Sequence, residues 1–374
     1  VIEKQAVVDG VTICNIYSAY ASAICLSPYL DVKKPVTSVP IDERGSLKNC
    51  IVRKVYSGPF LALNNYALVD GCLIEECKQT SADLGLAMSG YQCVMRNTKV
   101  RNCQKSDAGQ YVYTLICNVA MEGATPLVEN CVFHNNTSGL SGLVRVLSSS
   151  KDFRAADFIN CTLKHNKAAY GIEFIGASGN VMNCLITSYS GNNSIRDNSA
   201  AGQTLVNVFN TVSNKATVGV NVVSNDACAY GVTTHEMNFE PYSQNVLTDG
   251  YIAADNEIYG KYLLSTAQVT DYVTIVSEET STICYGAATA AYEDLRSNKI
   301  TLTAPAADIL GTPQPEGKYA IGAYVPQSAV GIQEIGCPAT TGTLHPALTC
   351  NLAGQKVGTD YKGIVILNGK KIGR

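Results

Sequence analysis

One column of this sequence combines a tyrosine, an arginine and a glutamate: Tyr113, Arg145 and Glu173. Gly58, Gly85, Gly109, Gly142 and Gly171 each open a short apolar strand. Aligned on alternation, the outward position of those strands reads Ala62, Ala87, Tyr113, Arg145, Glu173. Neighbouring strands lie about 4.8 Å apart, so the three polar side chains could together grip an acidic sugar. In a β-eliminating lyase, Arg145 or Tyr113 would take the proton beside a neutralised carboxylate. These three are the candidate catalytic residues. The competing reading is a solvated strand face carrying an Arg145–Glu173 ion pair worth under about 1 kcal/mol. A slip of one residue would turn every side chain to the other face.

Candidate ligand-binding residues lie nearby in the repeat. The two longest repeats carry their extra length in 117–126 and 148–154, and long loops on a rigid scaffold are where binding residues collect. Lys151 and Arg154 belong to the second loop. Another outward column reads Arg53, Glu75, Arg101, His134, Lys164, Thr187. Its first three members alternate in sign, as an exposed ion-pair ladder would; His134 and Lys164 follow and could serve as base or ligand. A Tyr-rich stretch, 228–300, holds acids such as Asp249, Asp255 and Glu257 and could stack on sugars. No metal site is expected: no cysteine pair has zinc-type spacing, and no aspartate cluster suits calcium. Paired aspartates with Gly-His-Gly, G-x-S-x-G and a phosphate loop are also missing.

The elements that must position these residues come from an internal repeat. Its anchor is an Asn-Cys-like step followed by apolar residues: Asn49-Cys50, Gly71-Cys72, Asn97-Thr98, Asn130-Cys131, Asn160-Cys161, Asn183-Cys184 and Asn207-Val208. The steps between anchors are 22, 26, 33, 30, 23 and 24 residues. Three residues before the anchor sit Val69, Met95, Val128, Phe158, Val181 and Leu205; two after it sit Val52, Ile74, Val100, Phe133, Leu163 and Ile186. Apolar columns of period two in repeats of this length predict stacked strands of a parallel β-helix. The Asn slot is read as a turn, since Asn tolerates left-handed backbone angles and can form an amide ladder. Hairpin signals at 8–12-residue spacing, which a β-sandwich needs, are scarce.

Two consequences follow from the ruler. Cys50, Cys72, Cys131, Cys161 and Cys184 are expected as free thiols in the core, leaving Cys337 and Cys350 as the better disulfide candidates among 15 cysteines. The column directly after the anchor, Ile51, Leu73, Lys99, Val132, Thr162, Leu185, faces outward yet is mostly apolar. Such a stripe needs a cover. The candidates are the C-terminal module, the Tyr-rich segment, or a second subunit in a homodimer through Ile51, Leu73, Val132 and Leu185.

With these columns, residues 1–325 resemble the right-handed parallel β-helix superfamily of pectate lyases and related surface proteins. The stretch Leu302 to Asp308 with Gly317 and Ile321 to Tyr324 resembles the closing part of secreted bacterial β-helix proteins carrying a choice-of-anchor module. The tail, Asn351 to Val357, Tyr361 to Ile366 and Asn368 to Lys371, is similar to C-terminal modules of exported bacterial cargo, including type IX secretion signals. The resemblance implies an all-β fold: a right-handed parallel β-helix over 1–325, then a linker and small C-terminal β module over 326–374. It also implies export to the cell surface.

Bulk composition narrows the function. Charged residues make up 16% of the chain and the net charge is −3, so no nucleic-acid partner is expected. No apolar run is long enough to span a membrane. The chain opens on what reads as mid-coil sequence, so a targeting segment is expected upstream. The fold hosts lyases, hydrolases, adhesins and spacers alike. The preferred reading is a secreted β-helix that binds polysaccharide, glycan or another surface partner without turnover and without a cofactor. The alternative is a polysaccharide lyase or glycoside hydrolase acting on an acidic polysaccharide, with calcium a candidate cofactor for the lyase.

Overall fold

Each coil turns at one left-handed residue in the same place. In successive coils Gly10, Asn49, Gly71, Asn97, Asn130, Asn160, Asn183 and Asn210 have φ of 69, 50, 66, 50, 56, 50, 54 and 44°. Asn occupies this slot because its short amide tolerates the left-handed region and bonds to the next coil. Asn130 donates Nδ2 to Asn97 Oδ1 at 2.9 Å, and Asn183 donates to Asn160 Oδ1 at 3.3 Å. Gly71 departs from the pattern for a steric reason as well: a Cβ there would lie 2.7 Å from Asn49 Oδ1. The turn is followed by a second left-handed column, Asn15, Lys54, Glu76, Asn102 and Asn135.

These turns separate three parallel sheets. The computed structural model of the chain describes residues 6–18, 22–26, 39–79, 85–104, 114–119, 125–139, 142–148, 154–188, 193–213, 215–225, 228, 230, 291–293, 301–314, 321–323, 349–351, 364–367 and 370–373. The first sheet runs from Val7–Asp9 to Val222–Ser224, the second from Thr12–Tyr17 to Val212–Ser213, and the third from Ile24–Leu26 to Asn193–Asp197. Every pairing within them is parallel and joins one coil to the next, as in Val69↔Met95 and Val100↔Phe133. The fold is all-β, a parallel β-helix. No helix of the described residues is long and apolar enough to cross a membrane.

The core is the stack of inward columns. Val69, Met95, Val128, Phe158, Val181 and Val208 form one; Val52, Ile74, Val100, Phe133, Leu163 and Ile186 form another. Cys50, Cys72, Cys131, Cys161 and Cys184 are free and buried, as expected. The last anchor needs correction. Asn207 pairs with Asn180 inside the first sheet, and the turn is made by Asn210-Thr211, 27 residues after Cys184. Val208, not Leu205, therefore continues the inward column. The cysteines expected to form a disulfide, Cys337 and Cys350, fall outside the described side chains.

The outward column after the anchor is not exposed. Ile51, Leu73, Lys99, Val132, Thr162 and Leu185 are all buried. Where its cover is described, it is none of the three candidates but a strap made of 302–314 and 321–323. Ile309 and Ala323 pack on Val132; Leu302 and Ala304 pack on Ile159 and Met182. The strap is pinned by its backbone: Gly322 N–H donates to Asn183 O at 2.8 Å, and Ala323 N–H to Thr162 Oγ1 at 2.9 Å. Gly322 has φ 91°, and a Cβ on it would lie 2.7 Å from Thr162 Oγ1. With this stripe buried inside its own chain, Ile51, Leu73, Val132 and Leu185 offer no exposed apolar surface for a dimer.

The chain separates into two compact units, Val1–Gln327 and Ser328–Arg374. In the second, strands Thr349–Asn351, Ile364–Leu367 and Lys370–Gly373 form an antiparallel sheet.

Candidate ligand-binding groove

The residues singled out from the sequence lie on three different sheets. Arg145 and Glu173 are register neighbours on the third sheet, but the position beside Arg145 on the other side is Ile116, not Tyr113. The strand of that coil begins late, at Leu115, because Leu115 and Cys117 are the residues buried in the core. Tyr113 and Lys151 lie outside the described residues, as does nearly all of the Tyr-rich segment. Glu173 is buried and held in place. Its Oε1 pairs with Arg196 Nη1 at 3.2 Å, and its Oε2 accepts the Gly142 N–H at 3.3 Å. Arg196 in turn sits 4.7 Å above the Tyr170 ring. Such a carboxylate is structurally committed.

On the second sheet, Arg53, Glu75, Arg101, His134, Lys164 and Thr187 do form one column, in the expected order. The expectation that it is solvated is corrected: Arg53, Glu75, Arg101, His134 and Lys164 are all buried. Glu75 bridges Arg101 at 2.9 Å and Arg53 at 3.7 Å. Burial pushes its carboxyl up, while Arg101 and Arg53 oppose that shift. Arg154, on the first sheet, is paired to Asp157 at 3.0 Å.

A groove forms elsewhere, where the Asn turns meet the strap. Its cavity is about 440 Å³, lined by Asn49, Asp70, Arg96, Asn97 and Glu129 on one side and by Pro305 and 307–311 on the other. The charged wall is a column of the first sheet, Asp9, Lys48, Asp70, Arg96, Glu129, alternating in sign. The same column then turns apolar, to Ile159 and Met182, where the strap covers it. This column sits two residues before the anchor. The sequence signal for it was the switch from alternating charge to apolar residues.

Two of the groove's three carboxylates are occupied. Asp70 Oδ2 accepts Arg96 Nε and Nη2 at 2.9 and 2.8 Å, and its Oδ1 accepts Asn97 Nδ2 at 2.8 Å. Asp308 Oδ1 accepts the Leu310 and Thr312 N–H groups at 2.8 Å each, closing the strap's turn. Glu129 takes none of these bonds. Burial raises its pKa, with Arg96 opposing and Asp70 reinforcing the shift. Behind the groove, burial pulls Lys99 down to about 7, helped by Arg101 and opposed by Asp308. Among the described residues no group of three His, Cys, Asp or Glu side chains is placed to hold a metal ion.

A family model for a right handed beta helix region matches residues 11–152. Comparison with curated proteins and with solved structures gave no match. The matched span includes Lys48, Asp70, Arg96 and Glu129 of the charged column, and with the three parallel sheets it identifies the fold as a right-handed parallel β-helix.

Proposed function

We propose that the protein is an exported, cell-surface β-helix that binds a polysaccharide in the Glu129 groove without turning it over. The observation carrying this reading is the state of the groove's carboxylates: Asp70 and Asp308 are committed to fixed hydrogen bonds, leaving Glu129 alone to meet a ligand. Glycoside hydrolysis needs two carboxyl groups in acid and base or nucleophile roles. A single carboxyl beside a fixed Arg–Asp pair and an Asn amide suits hydroxyl recognition instead, with donors and acceptors for sugar hydroxyls. Three carboxylates against Arg96 also disfavour an acidic chain at this site, so the groove's ligand is a neutral sugar polymer. No cofactor belongs to this reading; calcium belongs to the lyase alternative. Export and the sorting role of 326–374 rest on the tail's resemblance.

A hydrolase reading keeps one point in its favour, the raised pKa of Glu129, the property of a general acid. The two separate experimentally. Retardation in gels containing neutral polysaccharides, lost in Glu129→Ala, with no new reducing ends after prolonged incubation, supports binding. Reducing ends that vanish in Glu129→Gln would establish the hydrolase.

A further inference from the structure

Inside the helix, cysteines of neighbouring coils stack in pairs. Cys50 and Cys72 hold equivalent places, between the register partners Lys48↔Asp70 and Ile51↔Leu73. Cys161 and Cys184 are related in the same way, between Ile159↔Met182 and Thr162↔Leu185. Cys77 and Cys103 precede the bridged residues Lys78↔Gln104. In each pair one thiol hydrogen-bonds the other, so the two sulfurs face one another. Register partners on neighbouring strands lie about 4.8 Å apart, within the Cα separation of about 4.4–6.8 Å that a disulfide spans. All six cysteines are free and buried.

What lies over each pair sets one of them apart. Cys50 is covered by the first coil, its Sγ donating to Val8 O at 3.5 Å and to Lys48 O at 3.0 Å. That cover, Val7–Asp9, is a strand of three exposed residues which, among the described residues, pairs only with Ser46–Lys48. A strand held so lightly opens at low cost. Cys161 and Cys184 instead follow Arg154–Ile159 and Ser178–Met182, buried strands paired on both sides. Cys77 follows Val55 in its column, a residue with no exposed surface. Charge points the same way. The hydrogen bond from Cys72 pulls the Cys50 thiol down to about 7, against burial; backbone bonds from Val11 and Gly10 add to the pull, and Asp9 works against it. Burial, then the bond to Cys50, push Cys72 well up. Burial also pushes up Cys103 and Cys161. Cys50 is therefore the thiolate of its pair, the form that reacts.

We propose that Cys50 and Cys72 form a redox-active pair that a hydroperoxide closes into a disulfide when the first strand opens. With hydrogen peroxide, the Cys50 thiolate attacks one oxygen and the O–O bond breaks. The departing hydroxide takes up the proton that Cys50 had released and becomes water. Cys50 is now a sulfenic acid. The Cys72 sulfur attacks it; the S–O bond breaks, the S–S bond forms, and the hydroxyl leaves with the Cys72 proton as a second water. The pair loses two electrons and one peroxide is reduced to two waters. The new bond staples the second and third coils, joining residues 22 apart near the end of the solenoid, where it frays. The proposal needs nothing from the Glu129 groove.

The test uses the full chain with Cys14→Ser/Cys25→Ser, which removes the two exposed thiols of the first coil. It is treated with hydrogen peroxide at neutral pH, the remaining thiols are alkylated, and its peptides are mapped by mass spectrometry against untreated protein. The expected product is two hydrogens lighter, with the Cys50 and Cys72 peptides linked. It should form at least about tenfold faster than any other link among the buried thiols, following the thiolate fraction of Cys50. A dithiol should restore both thiols, and the oxidised form should melt at a higher temperature than the reduced one. Cys72→Ser should leave Cys50 as a sulfenic acid that a cyclic 1,3-diketone traps. Because the mapping needs no change at Cys50 or Cys72, it decides the matter even where a core substitution unfolds the chain. Cys50 and Cys72 still open to alkylation after other buried thiols have oxidised would overturn the proposal. So would linkage of either one mainly to a different cysteine.

Discussion

At the anchor slot, cysteine and threonine perform the same task. Cys131 Sγ donates to Glu129 O at 3.2 Å, Thr98 Oγ1 to Arg96 O at 2.8 Å and Thr211 Oγ1 to Phe209 O at 3.0 Å. Each donor adds a second hydrogen bond to the carbonyl two residues back, which also accepts a backbone N–H from the preceding coil. Cys131→Thr should therefore keep stability within about 1 kcal/mol of the wild type. Cys131→Ala should lose about 1–3 kcal/mol through the missing donor and the small cavity; denaturant unfolding measures both. Lys99 is a different case, a lysine in a mostly apolar column. The unfolded chain keeps its proton to about 10.5, whereas burial makes the folded lysine release it near 7. The unfolded state thus binds more protons between those values, and stability climbs as pH rises through that window. Lys99→Met should flatten this climb and raise stability at pH 7 by about 1–3 kcal/mol, seen in unfolding curves from pH 7 to 10.

The strap and the Asn turns stabilise one another. Asn160 Nδ2 donates to Gly322 O at 3.2 Å, and Asn130 Nδ2 to Ala307 O at 3.1 Å. Asn160→Ala should cost about 2–4 kcal/mol, combining left-handed backbone strain with lost hydrogen bonds. Asn160→Gly should recover only the backbone part, and protease cleavage within the strap should rise in both. Local pattern made much of this legible beforehand. The Asn slot, the inward columns and the order from Arg53 to Lys164 depend on residues close in sequence or one coil apart. The structure departs from it where local pattern is ambiguous or insufficient. Asn207 and Asn210 both fit a turn, and only the strand pairing decides between them. Tyr113 alternates as well as Ile116 does. What covers Val132 lies some 177 residues further along the chain, beyond any periodicity. Burial of His134 and Lys164 was hidden for the same reason, since alternation gives the direction of a side chain but not what lies over it.

For the whole molecule, the β-helix holds a groove that gathers carboxylates around Arg96. A net charge of −3 provides no general attraction for polyanions, so any binding of an acidic chain must come from a local feature. The most direct test of the central claim is isothermal titration of the full chain with neutral oligosaccharides from polymers that retard it in gels. This measurement separates a saturating heat of binding from the continuing heat of turnover. The account predicts a saturable isotherm with no sustained heat, lost in Arg96→Ala/Glu129→Ala. Sustained heat release, or an isotherm that the double substitution leaves unchanged, would contradict it.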